Sequence, residues 1–535
     1  MPTLDWIGKR AVVNHHRQVP FHLLKKREDL SCGDPDSGNL LVQADNLLAL
    51  KALLPYYAGQ VKCIYIDPPY NTGNEGWVYN DNVNSPEMKA WLGKTVGKEA
   101  EDLTRHDKWL CMMYPRLALL WQFLSEDGSI WISMDDSEAA HLRCLCDEVF
   151  GCNNFIAVNV WQKRYSRENR EAIGDVHEYL FLYAKNPELF KSTRNLLPLA
   201  DKQMALYKNP NNDPRGPWQS VSLTAQGFRP NQMYEIVAPN GRRHRPPEGT
   251  CWKVIESEYQ RLVADNRIWF GRTGTGVPRR VHFLKDAPGL VPWTWWPHEE
   301  VGHTDEARKA IQSIFGTQTA FDTPKPVRLI ERVLQIATNP GDLILDSFAG
   351  SGTTGHAVLR MNKAHADKAP RKFILLEMDE KICHEVTAKR LEKAVKGFTP
   401  NKGAEEGALG GGFSYCELGS PLFDETGQIK AEVTFNDLAR HVFFTETGNP
   451  LPEKAEKNFP LLGIANGVAV YLLYNGVLKD KRPDSGNILT VPVLHDLPPH
   501  DGPKVIYGIG CRIGASRLRQ EGITFHQIPY AIKVS

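Results

Sequence analysis

Apolar positions along this chain follow two rhythms that alternate. From Leu40 to Leu54 a short apolar start gives way to Asp45, Asn46 and a leucine-rich stretch with helical spacing, and Val61 to Ile66 forms a β-branched run ending at Asp67. Strand, helix, strand is the unit of a parallel sheet. The pattern then predicts a helix over Lys108 to Leu124, a strand over Gly128 to Ser133, and a helix opening at Asp135 and Asp136 and running through Phe150. After Asn159 the rhythm breaks. Seven of the thirteen tryptophans fall between Trp161 and Trp296, among the clusters DPRGPW, GRRHRPP and GRTGTGVPRR, a texture of loops and short strands. From Pro326 the alternation resumes. Val327, Ile330, Val333, Leu334 and Ala337 share one helical face, Leu343 to Asp346 reads as a strand, a helix follows from Thr353, and Phe373 to Glu377 is a further strand.

A pattern interrupted and resumed describes one α/β domain split by an insertion. The expected organisation is an N-terminal arm over 1–39, the first part of a doubly wound sheet domain over 40–160, an inserted domain over 161–320, and the second part of the sheet over 321–400. Beyond the glycine-rich GALGGGF at Gly407 to Phe413, residues 413–535 read as a small α/β or α+β domain without recognisable chemistry. A chain of 535 residues is too long for a single core.

Composition narrows the class only a little. A hydrophobic share of 41% and a charged share of 24% exclude a fibre or a wholly disordered chain. The net charge of +1 gives no sign of a polyanionic partner. Its distribution does, because Trp161 to Ala320 carries 23 Lys and Arg against 17 Asp and Glu, which places any nucleic-acid footprint mid-chain. Ten scattered cysteines with no Cys-x-x-Cys pair, no apolar leader and no 18-residue apolar run lead to the expectation of a cytoplasmic protein without a membrane segment. His141, Cys144, Cys146 and Cys152 raise a metal question, but the helical spacing of HLRCLCDEVFG favours buried helix thiols, and no metal is expected.

Two motifs carry chemistry. DPPY follows the strand KCIYI directly, so Asp67 emerges at the carboxyl end of a parallel strand, where open α/β sheets bind ligands. Pro68 and Pro69 fix the turn and remove two N–H donors, leaving carbonyls that only accept. An exocyclic amine has two N–H donors and a lone pair delocalised into its ring. A site that accepts both hydrogens, as Asp67 and the Pro68 carbonyl can, helps to localise that lone pair for attack. Tyr70 can stack on the planar base and orient it. Such a base must first leave the duplex stack, at a cost of about a few kcal/mol. The plainer reading is an Asp capping a turn and a Tyr filling a core.

The second motif, LILDSFAGSGTTG, sets Phe348, Gly350 and Gly352 between a strand and a helix. Asp346 and Glu377, each at a strand end, are spaced like the acids that bind cofactor hydroxyls. Gly350, Gly352 and Gly355 also fit the dinucleotide pattern G-x-G-x-x-G. Against that reading, Asp346-Ser347-Phe348 offers a carboxylate and an aromatic ring suited to a zwitterionic sulfonium rather than to a pyrophosphate. A P-loop is excluded because no Lys-Ser or Lys-Thr follows the glycines.

Taken in order, DPPY, the Trp- and Arg-rich insert, and FxGxG, the chain resembles the amino-methylating DNA methyltransferases of the β order. Its texture is most similar to the modification (Mod) subunits of type III restriction systems and to orphan enzymes of that kind. DPPYNTG from Asp67 to Gly73, the Asp45-Asn46 pair, TPKPVRLIERVL from Thr323 to Leu334 and FILLEMDE from Phe373 to Glu380 extend the likeness across Leu40 to Leu391. GGFSYCEL and ITFHQIPYAIK add a weaker match in the tail. The resemblance implies a Rossmann-like sheet with circularly permuted motif order and an inserted target-recognition domain. It also implies S-adenosylmethionine as cofactor. Asp67, Pro68, Pro69 and Tyr70 would be catalytic. Phe348, Gly350 and Gly352 would hold the methionine part, Glu377 would take the ribose hydroxyls, Thr323 and Lys325 would close the pocket, Asp346 and Thr353 would also bind the cofactor, and Asp45 would be a neighbour. DNA would be read by Arg215, Arg229, Arg242, Arg243, Arg245, Arg272, Arg279 and Arg280, whose plainer role is a solvated basic face. Asp rather than Ser at position 67 favours N6 of adenine over N4 of cytosine. A direct transfer needs neither a covalent enzyme intermediate nor a metal. Double-stranded DNA and a second copy of the chain are the implied partners. With no nuclease or helicase motif present, cleavage would fall to a separate restriction subunit. The open alternatives are N4-cytosine methylation and a DNA-recognition subunit without turnover.

Overall fold

The computed structural model describes residues 3–72, 86–96, 103–166, 172–199, 201–316, 321–399, 407–456, 459–474, 482 and 486–528. Its main element is a ten-stranded sheet. In chain order the strands are β1 (His22–Gly33), β2 (Leu40–Gln43), β3 (Val61–Ile66), β4 (Leu124–Met134), β5 (Phe155–Gln162), β6 (His177–Ala184), β7 (Trp295–Trp296), β8 (Leu343–Asp346), β9 (Lys372–Glu377) and β10 (Gly412–Pro421). Across the sheet they run β1-β10-β2-β9-β8-β3-β4-β6-β5-β7. The six strands from β10 to β4 are all parallel. Every residue of β3 is buried, as a strand covered by helices on both faces requires.

The topology explains how remote motifs meet. β8 and β9, from the second half of the chain, lie between β2 and β3 from the first half. The halves thus interleave into one α/β sheet. Parallel pairing of Leu345 with Ile64 places the carboxyl end of β8 beside that of β3, so Asp346 and Asp67 leave neighbouring strands on the same edge. The helices that matter for this edge are α1 (Asn46–Tyr57), α2 (Arg105–Phe123), α3 (Thr304–Phe315), α4 (Val327–Ala337), α5 (Thr353–Ala364) and α6 (Lys389–Lys396). Helix α5 packs closely on the sheet at Gly355, where a Cβ would stand 2.7 Å from Leu391 and 2.9 Å from Leu375.

Three boundaries differ from the sequence expectation. A cut at residue 161 falls inside β5 and assigns β6 to the insertion, yet β6 pairs antiparallel with both β4 and β5 in the main sheet. The charged stretch KRYSRENREAIGD hides this continuation, since it reads as the start of a loop-rich region. The second compact unit runs from Leu196 to Pro292. Residues 1–39 are no separate arm, because β1 pairs antiparallel with β10. Its residues are half-buried or exposed along their whole length, so no period-2 apolar signal announces it. The C-terminal segment, too, supplies β10 to the main sheet. Its helix Phe435–Thr447 buries Leu438, Val442 and Phe443 in the same core as Leu53 of α1 and Phe21. A four-stranded sheet of Leu461–Ala465, Val468–Leu473, Lys504–Gly508 and Ile523–Gln527 follows.

The Leu196–Pro292 unit consists of two- and three-stranded pieces around two small cores, Leu223, Ile236, Trp252 and Tyr259 in one and Trp218, Val281 and Phe283 in the other. Its ends are tied by a reciprocal pair of backbone hydrogen bonds, Leu197 N–H to Leu290 O at 2.8 Å and Leu290 N–H to Leu197 O at 2.7 Å. Among the described residues no helix is long and apolar enough to cross a membrane.

Candidate active site

The turn after β3 is held from behind. Trp109 of α2 donates its indole N–H to the Pro69 carbonyl at 2.7 Å, and the Asn71 amide donates to the Arg105 carbonyl at 3.1 Å and to the Glu138 carboxylate. Asn71 adopts φ 56°, a left-handed conformation that a non-glycine residue keeps only when its surroundings enforce it. Glu138 is fully buried and also accepts from ring nitrogens of His106 (2.6 Å) and His141 (2.7 Å). Donors thus surround this carboxylate, which anchors the Asn71 side of the turn.

The front of the turn faces a cleft of about 250 Å³. Lys325, just ahead of α4, places its ammonium 2.7 and 2.9 Å from the two carboxylate oxygens of Asp67. The same nitrogen lies 3.5 Å from Glu178 Oε2 and 4.9 Å from the centre of the Tyr70 ring. The Tyr70 hydroxyl donates to Glu178 at 3.0 Å, which fixes the ring plane at the cleft wall. Burial raises the Asp67 pKa, Lys325 pulls it back, and Glu178 pushes it up again, leaving it above the ordinary carboxylate value. For Lys325, burial acts to lower the pKa, but Asp67 and Glu178 prevail and hold it above the usual lysine value.

The glycine loop forms the opposite wall. Asp346 ends β8 fully buried, accepting from the Thr354 hydroxyl at 2.6 Å and the Phe348 amide at 3.0 Å. Gly350 has φ 51° and donates its N–H to Glu377 at 2.8 Å. Gly352, with φ 76°, caps α5. Beneath the loop, Arg390 of α6 donates to Ser351 Oγ and Thr353 Oγ1, both at 2.9 Å, and to the Ser351 carbonyl at 3.2 Å. Burial pushes the pKa of this guanidinium down to about 9.

Burial also pushes the Asp346 carboxyl up to about 7, against the Thr354 hydroxyl and the Phe348 amide. A carboxyl whose folded pKa exceeds its unfolded value near 4 binds its proton longer in the folded chain, so this group makes wild-type stability fall as pH rises from about 4 to about 7. Asp346→Asn has no such titration. Its melting temperature relative to wild type is expected to climb across that interval in thermal melts taken pH by pH. A difference that stays flat would remove burial as the source of the shift.

Most expected site residues converge on this cleft. Asp67, Pro68, Tyr70, Thr323, Lys325, Asp346, Phe348, Gly350 and Thr353 all line it. Gly352 and Glu377 stand one layer behind, tied to the loop backbone. Two residues fall elsewhere. Pro69 faces Trp109, its carbonyl already engaged. Asp45 caps α1 by accepting from the Leu47 and Leu48 amides and pairs with the buried Arg116 at 2.9 Å, so it serves the helix start and not the cleft. Asn46 beside it donates to the Ser347 carbonyl at 3.1 Å and so reaches the glycine loop.

The eight arginines all belong to the Leu196–Pro292 unit. Arg215 is bound to Asp213 and Asp265 and lies 4.4 Å over the Phe283 ring, contacts that hold its guanidinium against its own unit. Arg279 donates to the Ser220 hydroxyl and carbonyl. Arg280 is half-buried, with its Nε sequestered from solvent. Arg229, Arg242 and Arg272 are exposed, and Arg243 and Arg245 share Glu235 while remaining 73% and 76% exposed. Of the residues weighed for metal, Cys146 is a buried helix thiol, whereas Cys144 and Cys152 are exposed. His141 instead joins His106 at Glu138.

Sequence reasoning missed Glu178, Lys163 and Arg390. The first two were legible as polar positions, in QKR at the end of β5 and in HEYLFLYA, where one acid opens an aromatic strand. Arg390 gave no signal, since a basic residue in an amphipathic helix reads as solvent-facing until its burial is seen.

Residues 61–389 match the model of a family described as DNA methylase, the N6/N4 methyltransferases. The Mod subunit of the type III restriction-modification enzyme StyLTI from Salmonella typhimurium is 36% identical over 403 residues, covering 72% of this chain and 60% of that protein. The Mod subunit of EcoPI from Escherichia phage P1 is 30% identical over 83% of this chain and 74% of its own length. The type II methyltransferase M.KpnI from Klebsiella pneumoniae is 30% identical over 66% of this chain and 84% of its own length. Among solved structures, PvuII DNA methyltransferase (cytosine-N4-specific) aligns with a TM-score of 0.35 and 13% identity over 68% of this chain and 88% of that one.

Proposed function

The chain belongs to the N6/N4 DNA methylase family, and on that premise we propose that it transfers a methyl group from S-adenosylmethionine to N6 of adenine in DNA, as the modification partner of a restriction system. One observation carries the reading. The DPPY turn and the glycine loop, remote in sequence, border a common cleft because β3 and β8 are parallel neighbours.

The loop residues fit the cofactor. Phe348 and Gly350 face the cleft, Glu377 accepts from the Gly350 and Asp379 amides and so fixes the loop, and the buried Ser347 hydroxyl has no hydrogen-bond partner among the described residues. We assign Phe348, Gly350, Thr353 and Thr323 to the cleft wall against it, with Asp346, Gly352 and Glu377 setting the loop. When bound, S-adenosylmethionine supplies an activated methyl on a sulfonium. The chain does the rest. Asp67 accepts from the adenine amino group, Pro68 offers only an acceptor, and Tyr70, tethered to Glu178, stacks against the flipped base. Asp67 in this role favours adenine, and the two Mod relatives support a restriction partner. The reading further includes double-stranded DNA as substrate, a homodimer, and target recognition by the Leu196–Pro292 unit, with Arg229, Arg242, Arg243, Arg245, Arg272 and Arg279 as its cationic contacts.

The deciding experiment is single-molecule sequencing of DNA from cells that express this chain. N6-methyladenine at one recurring sequence is the expected result. Unmodified DNA, or N4-methylcytosine in its place, would overturn the assignment.

A further inference from the structure

Lys325 presents the proposed chemistry with an obstacle. Its ammonium engages both carboxylate oxygens of Asp67, at 2.7 and 2.9 Å, so it competes with an incoming amine for the same acceptor. The lysine side chain is only 10% exposed, so leaving Asp67 with no second anion at hand would strand a largely buried charge. It needs a second anion within reach.

Glu178 is that anion. We infer that Lys325 is a movable cap on Asp67 and that Glu178 is its second seat, to which the ammonium shifts when the target base enters. Glu178 Oε2 already lies 3.5 Å from the ammonium, so a displacement of under about 1 Å reaches charge-assisted hydrogen-bond distance. The seat is prepared by its neighbours. The Tyr70 hydroxyl, at 3.0 Å, aims the carboxylate, which comes from the antiparallel strand β6 and not from the turn that carries Asp67. Lys163 stands 3.5 Å from Glu178 Oε1 but closer, at 2.7 Å, to Asp175, so it leaves Glu178 able to take another cation. The buried charge stays paired in both positions. The hand-off also links occupancy to ring position, because the carboxylate that receives Lys325 is the one that tethers Tyr70.

This inference rests on the methyl-transfer reading, and the test separates the two. Wild-type protein is assayed first, with S-adenosylmethionine and DNA carrying the sequence found modified in cells. A wild-type chain that transfers no methyl overturns the reading in the preceding subsection, and the hand-off with it. With active wild type, the hand-off alone is decided by a double-mutant cycle of Glu178→Gln and Lys325→Met. It is read both as methylation rate and as the fluorescence rise of a 2-aminopurine placed beside the target adenine, which reports base extrusion and not chemistry. Glu178→Gln is expected to lower both signals about tenfold, while changing them by less than about twofold in the Lys325→Met background, where no ammonium has to move. Equal losses in both backgrounds would make Glu178 a mere support for Tyr70 and overturn the hand-off. Should Lys325→Met fail to fold, the fluorescence of Glu178→Gln alone decides, and an undiminished rise overturns it.

Discussion

Replacing Asp67 by alanine is expected to lower methyl transfer by about 10²- to 10³-fold or more, the loss typical of removing one preorganised charge-stabilising group, while S-adenosylmethionine still binds. The reasoning is positional. Asp67 sits on the β3 side of the cleft, whereas Glu377, Asn46 and Arg390 supply hydrogen bonds that set the glycine loop. The substitution also strips Lys325 of its closest anion, leaving Glu178 at 3.5 Å. Asp67→Asn controls for this, since it keeps the shape and one acceptor and loses the charge. Its rate should fall between those of wild type and alanine. Single-turnover rates with labelled cofactor, paired with calorimetric cofactor binding, make the comparison. Wild-type-like turnover by the alanine variant would remove Asp67 from the chemistry.

Arg390→Ala should act on the other wall. The guanidinium is 1% exposed and makes three hydrogen bonds to Ser351 and Thr353, the residues that carry the chain from the loop into α5. Truncation removes three hydrogen bonds from buried acceptors and opens a cavity, together costing about 3 kcal/mol or more. A lower melting temperature and cofactor affinity reduced by at least about tenfold are expected. Arg390→Met separates packing from hydrogen bonding. It fills much of the volume and relieves the desolvated charge, so it should recover stability without recovering affinity. If methionine restores both, the hydrogen bonds do not shape the loop.

The sequence made the parallel part of the sheet readable because β3 and β8 are mostly apolar runs with an acid at or just after their end, and both were placed residue for residue. The two motifs were readable for the same reason, since a carboxylate at the end of a buried strand has few structural uses. Edge elements were not. β1 lacks a buried face, and β6 follows a charged stretch of sequence that reads as the start of a foreign domain. Asp45 was ambiguous in the sequence because an acid before a leucine-rich helix serves equally as a cap or as a ligand contact, and its capping of α1 and pairing with Arg116 appear only in the fold. Glu178 and Lys325 show a different limit. Local pattern says nothing about an ion pair between a strand residue and a loop residue that the chain visits far apart.

The two backbone hydrogen bonds between Leu197 and Leu290 form a neck. Chain enters and leaves the intervening unit at one spot, so a stretch of different length and composition can be spliced there whenever its ends arrive at the same spacing. Swapping that segment between relatives while leaving the cleft residues untouched is therefore a geometrically cheap operation, and it offers a direct route to chimaeras in which only the segment beyond the neck has changed.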